Sequence, residues 1–198
     1  INDLPVKMYE PVNVKLGDKL KINDTKSGAR CYLAISGGID VKKLFGSKSF
    51  FNNISESYQL KKGDEIKISN NLSSNVLKKT ILNFKVSKLL NVFKGPEFNL
   101  LNTKSKKYLF KTKFTIRANN RMAYNLEEKL PVRLKSIVSS PVLPGSVQLT
   151  PSGKIIILHR DCQTSGGYPR ILQLDKKSLN HLSQLKSNEK IKFNIINL

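Results

Sequence analysis

The sequence predicts a mostly β protein built from two barrel-like lobes with few short helices, and three observations support this. Alternating or short apolar runs recur between turn signals along the 198 residues, the rhythm of half-buried strands. One strand-entry device is used three times. A clear helical repeat appears only near the carboxyl end.

In chain order, strands are expected at Val12–Ile22, Arg30–Ile35, Glu65–Ile68, Ile81–Val86, Lys107–Ile116, Lys154–His159 and Lys190–Ile196. The repeated device is Val14-Lys-Leu-Gly-Asp-Lys-Leu-Lys-Ile22, then Leu60-Lys-Lys-Gly-Asp-Glu-Ile-Lys-Ile68, then Leu185-Lys-Ser-Asn-Glu-Lys-Ile-Lys-Phe193. In each copy a turn at Gly or Asn, followed by an acid, leads into alternation. The unequal spacing of the copies rules out a solenoid. A helix is expected over Leu179–Leu185, capped by Asp175 or Ser178, with Leu179, Leu182 and Leu185 on one face. A second, weaker helix is expected to start near Glu97, after Gly95-Pro96. The polar Ser69–Lys79 stretch suggests the lobe boundary, giving lobes over 1–79 and 80–198.

Composition narrows the function classes. Hydrophobic residues make up 39% of the chain. The longest apolar runs, around Tyr32–Ile35 and Ile155–Leu158, fall far short of the about 20 residues that a membrane helix needs, so a soluble chain without a membrane partner is expected. The first residues show no charged-apolar-small leader pattern, and Ile1 suggests a processed chain or the remainder of something longer. There are 35 Lys+Arg against 14 Asp+Glu, a net charge of +21. Lys contributes 29 of these and Arg only 6, whereas nucleic-acid readers favour the bidentate arginine fork. The Lys104–Lys113 stretch, with Tyr108 and Phe110 interleaved, fits either a phosphate-backbone patch or a half-buried strand with a solvated lysine face. Anionic ligands are favoured as a class, nucleic acid being the weaker expectation.

The two cysteines, Cys31 and Cys162, are far apart, and with His159 and His181 they lack zinc-site spacing. No metal site is expected. Buried free thiols in a reducing compartment are the expected state. Cys162 near His159 also allows a cysteine nucleophile, although strand alternation would turn the two to opposite faces.

Two segments carry candidate chemistry. Arg30-Cys-Tyr-Leu-Ala-Ile-Ser-Gly-Gly-Ile-Asp40 ends a strand in Gly37-Gly38, which fits a tight turn or a close backbone approach to a ligand. The second runs from Gly145-Ser-Val-Gln-Leu-Thr150 through His159-Arg-Asp-Cys-Gln-Thr-Ser-Gly-Gly-Tyr-Pro-Arg170. Polar groups at a strand end beside a glycine turn can bind carbonyl or phosphate oxygens and hold developing negative charge.

The Asp161–Pro169 run, preceded by Pro144-Gly-Ser-Val-Gln148, resembles the signature of the family of 5-oxoprolinase C subunits, with allophanate hydrolase subunit 2 and the carboxyltransferase region of urea carboxylase. The Arg30–Asp40 segment with Phe45-Gly-Ser47, Asn120-Arg-Met-Ala-Tyr124 and Ser139-Ser-Pro-Val142 fits its other motifs in order. Lys48–Ile54 stands where the family is glycine-rich, Ala123 where it has Gly and Asn125 where it has Arg.

The resemblance implies two cyclophilin-like β-barrel lobes, with 1–79 the C-terminal part of an incomplete first lobe and 80–198 the second. It implies a cytoplasmic hetero-oligomer, with a partner like the 5-oxoprolinase B subunit or allophanate hydrolase subunit 1. The reaction implied is ATP-dependent opening of a small cyclic amide, 5-oxoproline, to glutamate. ATP is the implied cofactor, with Mg²⁺ beside the nucleotide; since the chain has no Walker-type loop, the nucleotide site is expected to be non-standard or shared. Asp161, Gln163 and Thr164 are the expected catalytic residues. Arg30, Gly37, Gly38, Arg121, Gln148, Gly166, Gly167 and Tyr168 are expected to bind substrate or nucleotide. Relatives that antagonise a kinase inhibitor make a non-catalytic binding module the alternative, and nucleic-acid binding is the third.

Overall fold

The computed structural model describes residues 1–50, 54–55, 60–69 and 85–197. The chain divides into two units, Ile1–Asn23 with Cys31–Asn83 and Asp24–Arg30 with Phe84–Leu198. The expected boundary at 79/80 and the expected strand start at Ile81 lie outside the described residues.

The second unit holds the barrel. Its strands are β1 (Leu89–Lys94), β2 (Phe114–Asn119), β3 (Ala123–Leu126), β4 (Ser140–Pro141), β5 (Ser146–Leu149), β6 (Ile155–Leu158), β7 (Ser165–Gly166), β8 (Arg170–Leu174) and β9 (Lys190–Ile195), with helices α1 (Thr103–Lys111) and α2 (Lys176–Leu182). Seven strands close in the order β1-β8-β5-β6-β3-β2-β9, and β4 pairs with β7 as a separate ribbon. Neighbouring barrel strands are antiparallel except β1 and β9, whose parallel ladder runs from Leu89 opposite Lys192 to Val92 opposite Ile195.

Alternation explains the core. Leu90 and Val92, Phe114 and Ile116, Tyr124 and Leu126, Ile155 and Ile157, and Ile191 and Phe193 all point inward and are buried. Each side chain removed from water contributes about 1.5–3 kcal/mol. Helix α2 covers this core with Leu179, Leu182 and, just beyond its end, Leu185. Asp175 caps α2 by accepting from Ser178 N–H at 2.6 Å, and Ser178 Oγ accepts from Asn91 N–H at 2.7 Å, which ties the helix to β1. The expected cap and leucine face are both present, one turn earlier than the periodicity alone places the helix.

The strand expected over Lys107–Ile116 is corrected. Its first half belongs to α1, begun by Asn102, whose side chain accepts from Ser105 N–H at 2.8 Å. Strand β2 starts only at Phe114. Lys, Tyr, Leu and Phe are tolerated by helix and strand alike, so the cap decides. The helix expected near Glu97 is a single 3-10 turn, Phe98–Leu100, preceding α1.

In the first unit no strand forms among the described residues, where the sequence predicts strands at Val12–Ile22, at Arg30–Ile35 (Arg30 itself lies in the other unit) and at Glu65–Ile68. Only isolated bridges occur, Ile39 with Ile68 and Leu44 with Ser47. Val12, Val14, Leu16, Leu20 and Ile22 alternate but stay exposed. Alternation supplies a strand's face, while its ladder needs a partner.

The three-copy device is one physical turn. Asp18 N–H donates to Lys15 O at 3.1 Å while the Asp18 carboxylate accepts from Lys15 N–H at 2.7 Å. Asp64 with Lys61 repeats this at 3.1 and 2.7 Å, and Glu189 with Lys186 at 3.2 and 2.7 Å. The residue before each acid is left-handed: Gly17 at φ 90°, Gly63 at 95° and Asn188 at 69°. Only the third copy launches a strand, β9.

These contacts set two expected outcomes. Asn188→Ala places a Cβ-bearing residue with no local side-chain bond in the left-handed region, so urea unfolding should show a loss of about 1 kcal/mol, while Asn188→Gly should cost no stability. Glu97 and Arg170 form a bidentate pair with side chains only 16% and 18% exposed, and Arg170 also donates to Pro141 O at 2.8 Å. The Arg170 guanidinium holds the Glu97 carboxyl below the usual glutamate range. Its stabilisation is therefore present above the unfolded glutamate value and lost as pH falls through the depressed one. Glu97→Gln should cost about 1–3 kcal/mol at neutral pH, with a smaller penalty in acid.

Candidate functional site

Strand β6 delivers its chain into the turn His159–Cys162, where Asp161 N–H donates to Arg121 O at 2.8 Å and Cys162 N–H to His159 O at 3.1 Å. The loop that follows is anchored on both sides. Ser165–Gly166 pairs with Ser140–Pro141, Val142 N–H donates to Thr164 O at 3.0 Å, and Ile137 N–H donates to Gly167 O at 2.8 Å. Backbone bonding of this kind holds Gln163, Thr164, Gly166, Gly167 and Tyr168 in one fixed arc.

Gln148 reaches the arc from the barrel wall. A register shift between Val147 and Gln148, where β5 meets β8, sets Gln148 opposite Arg170, the kind of local irregularity that re-aims a side chain. Gln148 is 1% exposed, and its Nε2 donates to Tyr168 O at 3.4 Å. A Cβ at Gly166 would lie 2.8 Å from Gln148 Nε2 and 3.5 Å from Gln163 Nε2. Two amide nitrogens thus converge on the bare face of one glycine, and a Cβ there would force Gln148 Nε2 to shift while only touching Gln163 Nε2.

Asp161 and Arg121 form a two-point ion pair. Arg121 donates through Nε to one carboxylate oxygen and through Nη2 to the other at 2.9 Å. The Arg121 hydrogen bond keeps the Asp161 carboxyl below its ordinary value, so Asp161 is a carboxylate at neutral pH. Arg30 donates to Ser183 O and, at 3.3 Å, to Tyr124 Oη. The Ala29 and Arg30 N–H groups donate to Gln184 Oε1 at 3.1 and 3.3 Å, fixing this short segment against the end of α2.

His159, which the sequence offered only beside a possible cysteine nucleophile, and Tyr124, named there only within a family motif, lie together in this region. Their ring centroids are 5.3 Å apart. His159 is 6% exposed, and neither ring nitrogen has a hydrogen-bond partner among the described residues. Burial, then the charges of Arg30, Arg160 and Arg121, push its pKa down to about 4, with Asp161 opposing. The imidazole is therefore neutral at pH 7. The usable signal was its place one residue past the apolar β6 run.

The thiols depart from expectation. Cys31 is exposed and Cys162 half-buried, because the first lies outside any strand and the second in a turn past the end of β6. Burial pushes the Cys162 thiol up, which leaves it protonated and poorly nucleophilic near neutrality. Gly37 and Gly38 belong to the first unit and take φ 79° and 77°, a left-handed turn that favours glycine. Gly38 N–H donates to Ile35 O at 2.9 Å and Gly38 O accepts from Ser69 N–H at 3.0 Å.

The barrel, with its glycine-backed amide arc, defines a class: residues 1–195 match the family described as carboxyltransferase domain, subdomain A and B, and the chain belongs to that family. Within it, the chain is 29% identical over 187 residues to the 5-oxoprolinase C subunit of Escherichia coli (strain K12), covering 91% of this chain and 60% of that protein. It is 30% identical over 211 residues to the 5-oxoprolinase C subunit of Haemophilus influenzae, covering 100% of this chain and 66% of that protein. The chain thus spans less than two thirds of either relative's length. The crystal structure of Kluyveromyces lactis urea carboxylase superposes with a TM-score of 0.82 at 22% identity, over 99% of this chain and 20% of that one, a likeness in fold. No helix among the described residues is long and apolar enough to cross a membrane.

The buried histidine makes stability pH-dependent. Between pH 6.5 and about 4 the unfolded chain binds a proton at His159 that the native chain refuses. Native stability therefore falls as pH drops through that window. Urea unfolding at pH 7 and 4.5 should show a smaller acid loss in His159→Phe, which keeps an aromatic ring against Tyr124, than in the parent; equal losses would refute the assignment.

Proposed function

We propose that this chain works as one subunit of an ATP-dependent amide hydrolase, opening 5-oxoproline to glutamate with a partner like the 5-oxoprolinase B subunit. The convergence of the Gln148 and Gln163 amides on Gly166 carries the reading. An amide carbonyl is a poor electrophile, and N–H donors fixed where its oxygen gains negative charge lower the barrier most effectively when they need not reorganise. Backbone anchoring on both sides of the 163–168 arc supplies that rigidity. The identity to two 5-oxoprolinase C subunits over nearly all of the chain supports the same substrate class.

The other residues take roles consistent with their contacts. Thr164 and the Gly166–Gly167 backbone complete the oxygen-binding arc, with Tyr168 closing its end. Asp161, ionised, holds Arg121 in place, and both remain at the protein surface where a phosphate or carboxylate can exchange into the guanidinium fork. Arg30 presents a second guanidinium beside Tyr124. Arg121 and Arg30 would hold the phosphates of ATP, whose γ-phosphoryl group would supply the activation that a poorly electrophilic amide needs, with ADP and phosphate as its products. Among the described residues no three or more His, Cys, Asp or Glu side chains gather as a metal site; Mg²⁺ in this reading arrives with the nucleotide. Gly37 and Gly38 are assigned to substrate or nucleotide binding on the resemblance.

Coexpression with the partner subunit and assay of 5-oxoproline-dependent ATP turnover tests the reading. The Asp161→Ala, Gln163→Ala double variant should lose about 10²–10³-fold in turnover, the scale of one lost oxyanion donor or more. Unchanged turnover in that variant would remove the site. Tight partner binding with no amide turnover in the parent would instead establish a non-catalytic binding module.

A further inference from the structure

Four lysines, Lys88, Lys113, Lys190 and Lys192, surround a single open groove of about 560 Å³ that also includes Leu89 and Glu189. All four are exposed. Along β9, Ile191 and Phe193 turn into the core, so Lys190 and Lys192 point outward on the same face, about 6.6 Å apart along the strand. Because β9 is paired with β1 on one edge and β2 on the other, recognition there must use side chains rather than an added strand.

The groove's own carboxylate is already engaged. Glu189 Oε1 meets Lys88 Nζ at 3.0 Å and Oε2 accepts from Lys186 N–H at 2.7 Å. Burial opposes ionisation, yet these two contacts hold its carboxyl below the usual range. Lys113 and Lys192 form no ion pair among the described residues, while the nearby Glu128 carboxylate, which accepts from Thr115 N–H and Oγ1, also feels the charge of Lys190. The groove therefore keeps an excess of positive charge, carried chiefly by Lys113 and Lys192, in a concave place where potential is focused.

The lining chooses between anionic ligands. No aromatic ring is present for a base to stack on, no arginine fork for a phosphate, and no glycine turn to offer backbone N–H groups. What it offers is ammonium groups at the alternate-residue spacing of an extended chain, beside the half-exposed aliphatic Leu89. We propose that this groove docks an extended acidic segment of a partner protein, with carboxylates at alternate positions over Lys190 and Lys192 and aliphatic side-chain atoms against Leu89. The inference is independent of the catalytic reading, since no residue of the amide arc takes part.

The test uses the full chain and a fluorescent peptide of alternating Glu and Ser flanked by Leu, with the Glu→Gln peptide as blank. Anisotropy should show saturable binding of the acidic peptide alone. Lys190→Glu, Lys192→Glu should weaken it by about tenfold or more, whereas Lys104→Glu, Lys107→Glu, an equal charge change on exposed positions of α1, should weaken it by about twofold at most. The milder Lys190→Gln, Lys192→Gln variant should show an intermediate loss at unchanged melting temperature, separating docking from misfolding. Equal losses in the two charge-reversed variants would reduce the effect to net charge and overturn the proposal. So would absence of peptide binding at low salt, or a groove that binds ATP or single-stranded DNA more tightly than the peptide and loses that binding in the same variant.

Discussion

The barrel depends on β9 being held on both edges at once, and that in turn depends on one acidic turn. Asn188 N–H donates to Ile116 O at 2.7 Å and Ile116 N–H donates to Glu189 O at 2.9 Å, so the turn itself is bonded to β2 before β9 begins. On the other edge Lys192 N–H donates to Lys88 O at 2.9 Å, opening the parallel ladder with β1. Parallel pairing between the first and last strands is the contact of greatest sequence separation in the barrel, and its closure entropy is recovered only when the interior fills. Phe193 of β9 helps to fill it, opposite Leu90 of β1 and with its ring centroid 5.5 Å from that of Phe114 in β2. Closure also leaves no free edge along the barrel wall, which removes a route to aggregation.

The amide arc is built beside the same barrel from features that stabilise the fold anyway. The Glu97–Arg170 pair reaches Pro141 O, and Pro141 pairs with Ser165, so a half-buried ion pair braces the ribbon that carries Gly166. A neutral histidine among three guanidinium groups is a costly arrangement for a merely structural position, since each orphaned buried polar atom forfeits water without compensation. Such uncompensated cost gathers at functional sites, where geometry is retained despite it.

Much of this was legible in the residues. The run from Asp161 to Pro169 carried both the family and the amide arc, because a glycine pair flanked by polar side chains has few bland uses. Asp175 and the leucines at 179, 182 and 185 marked α2, since capping and spacing are local properties. The acid turn was legible three times over, as its bonds lie within four consecutive residues. The first unit shows the limit of periodicity: Val12 to Ile22 alternates as well as β9 does, yet forms no ladder among the described residues. Lys107 to Lys111, also expected as strand, is helix instead, since its side chains suit either state and the deciding contact is the Asn102 cap.

By itself the sequence determined what is short in range: turn chemistry, caps, the alternation of β9 and β6, and the identity of the polar groups around Gly166. Only the tertiary structure decided which alternating segments became strands, that Arg121 closes on Asp161, that Gln148 reaches Gly166, and that His159 is buried and neutral. The reason is physical: a turn or cap is completed by its own neighbours, while a ladder, an ion pair forty residues apart or a desolvated imidazole takes its energy from groups that the chain brings together only on folding.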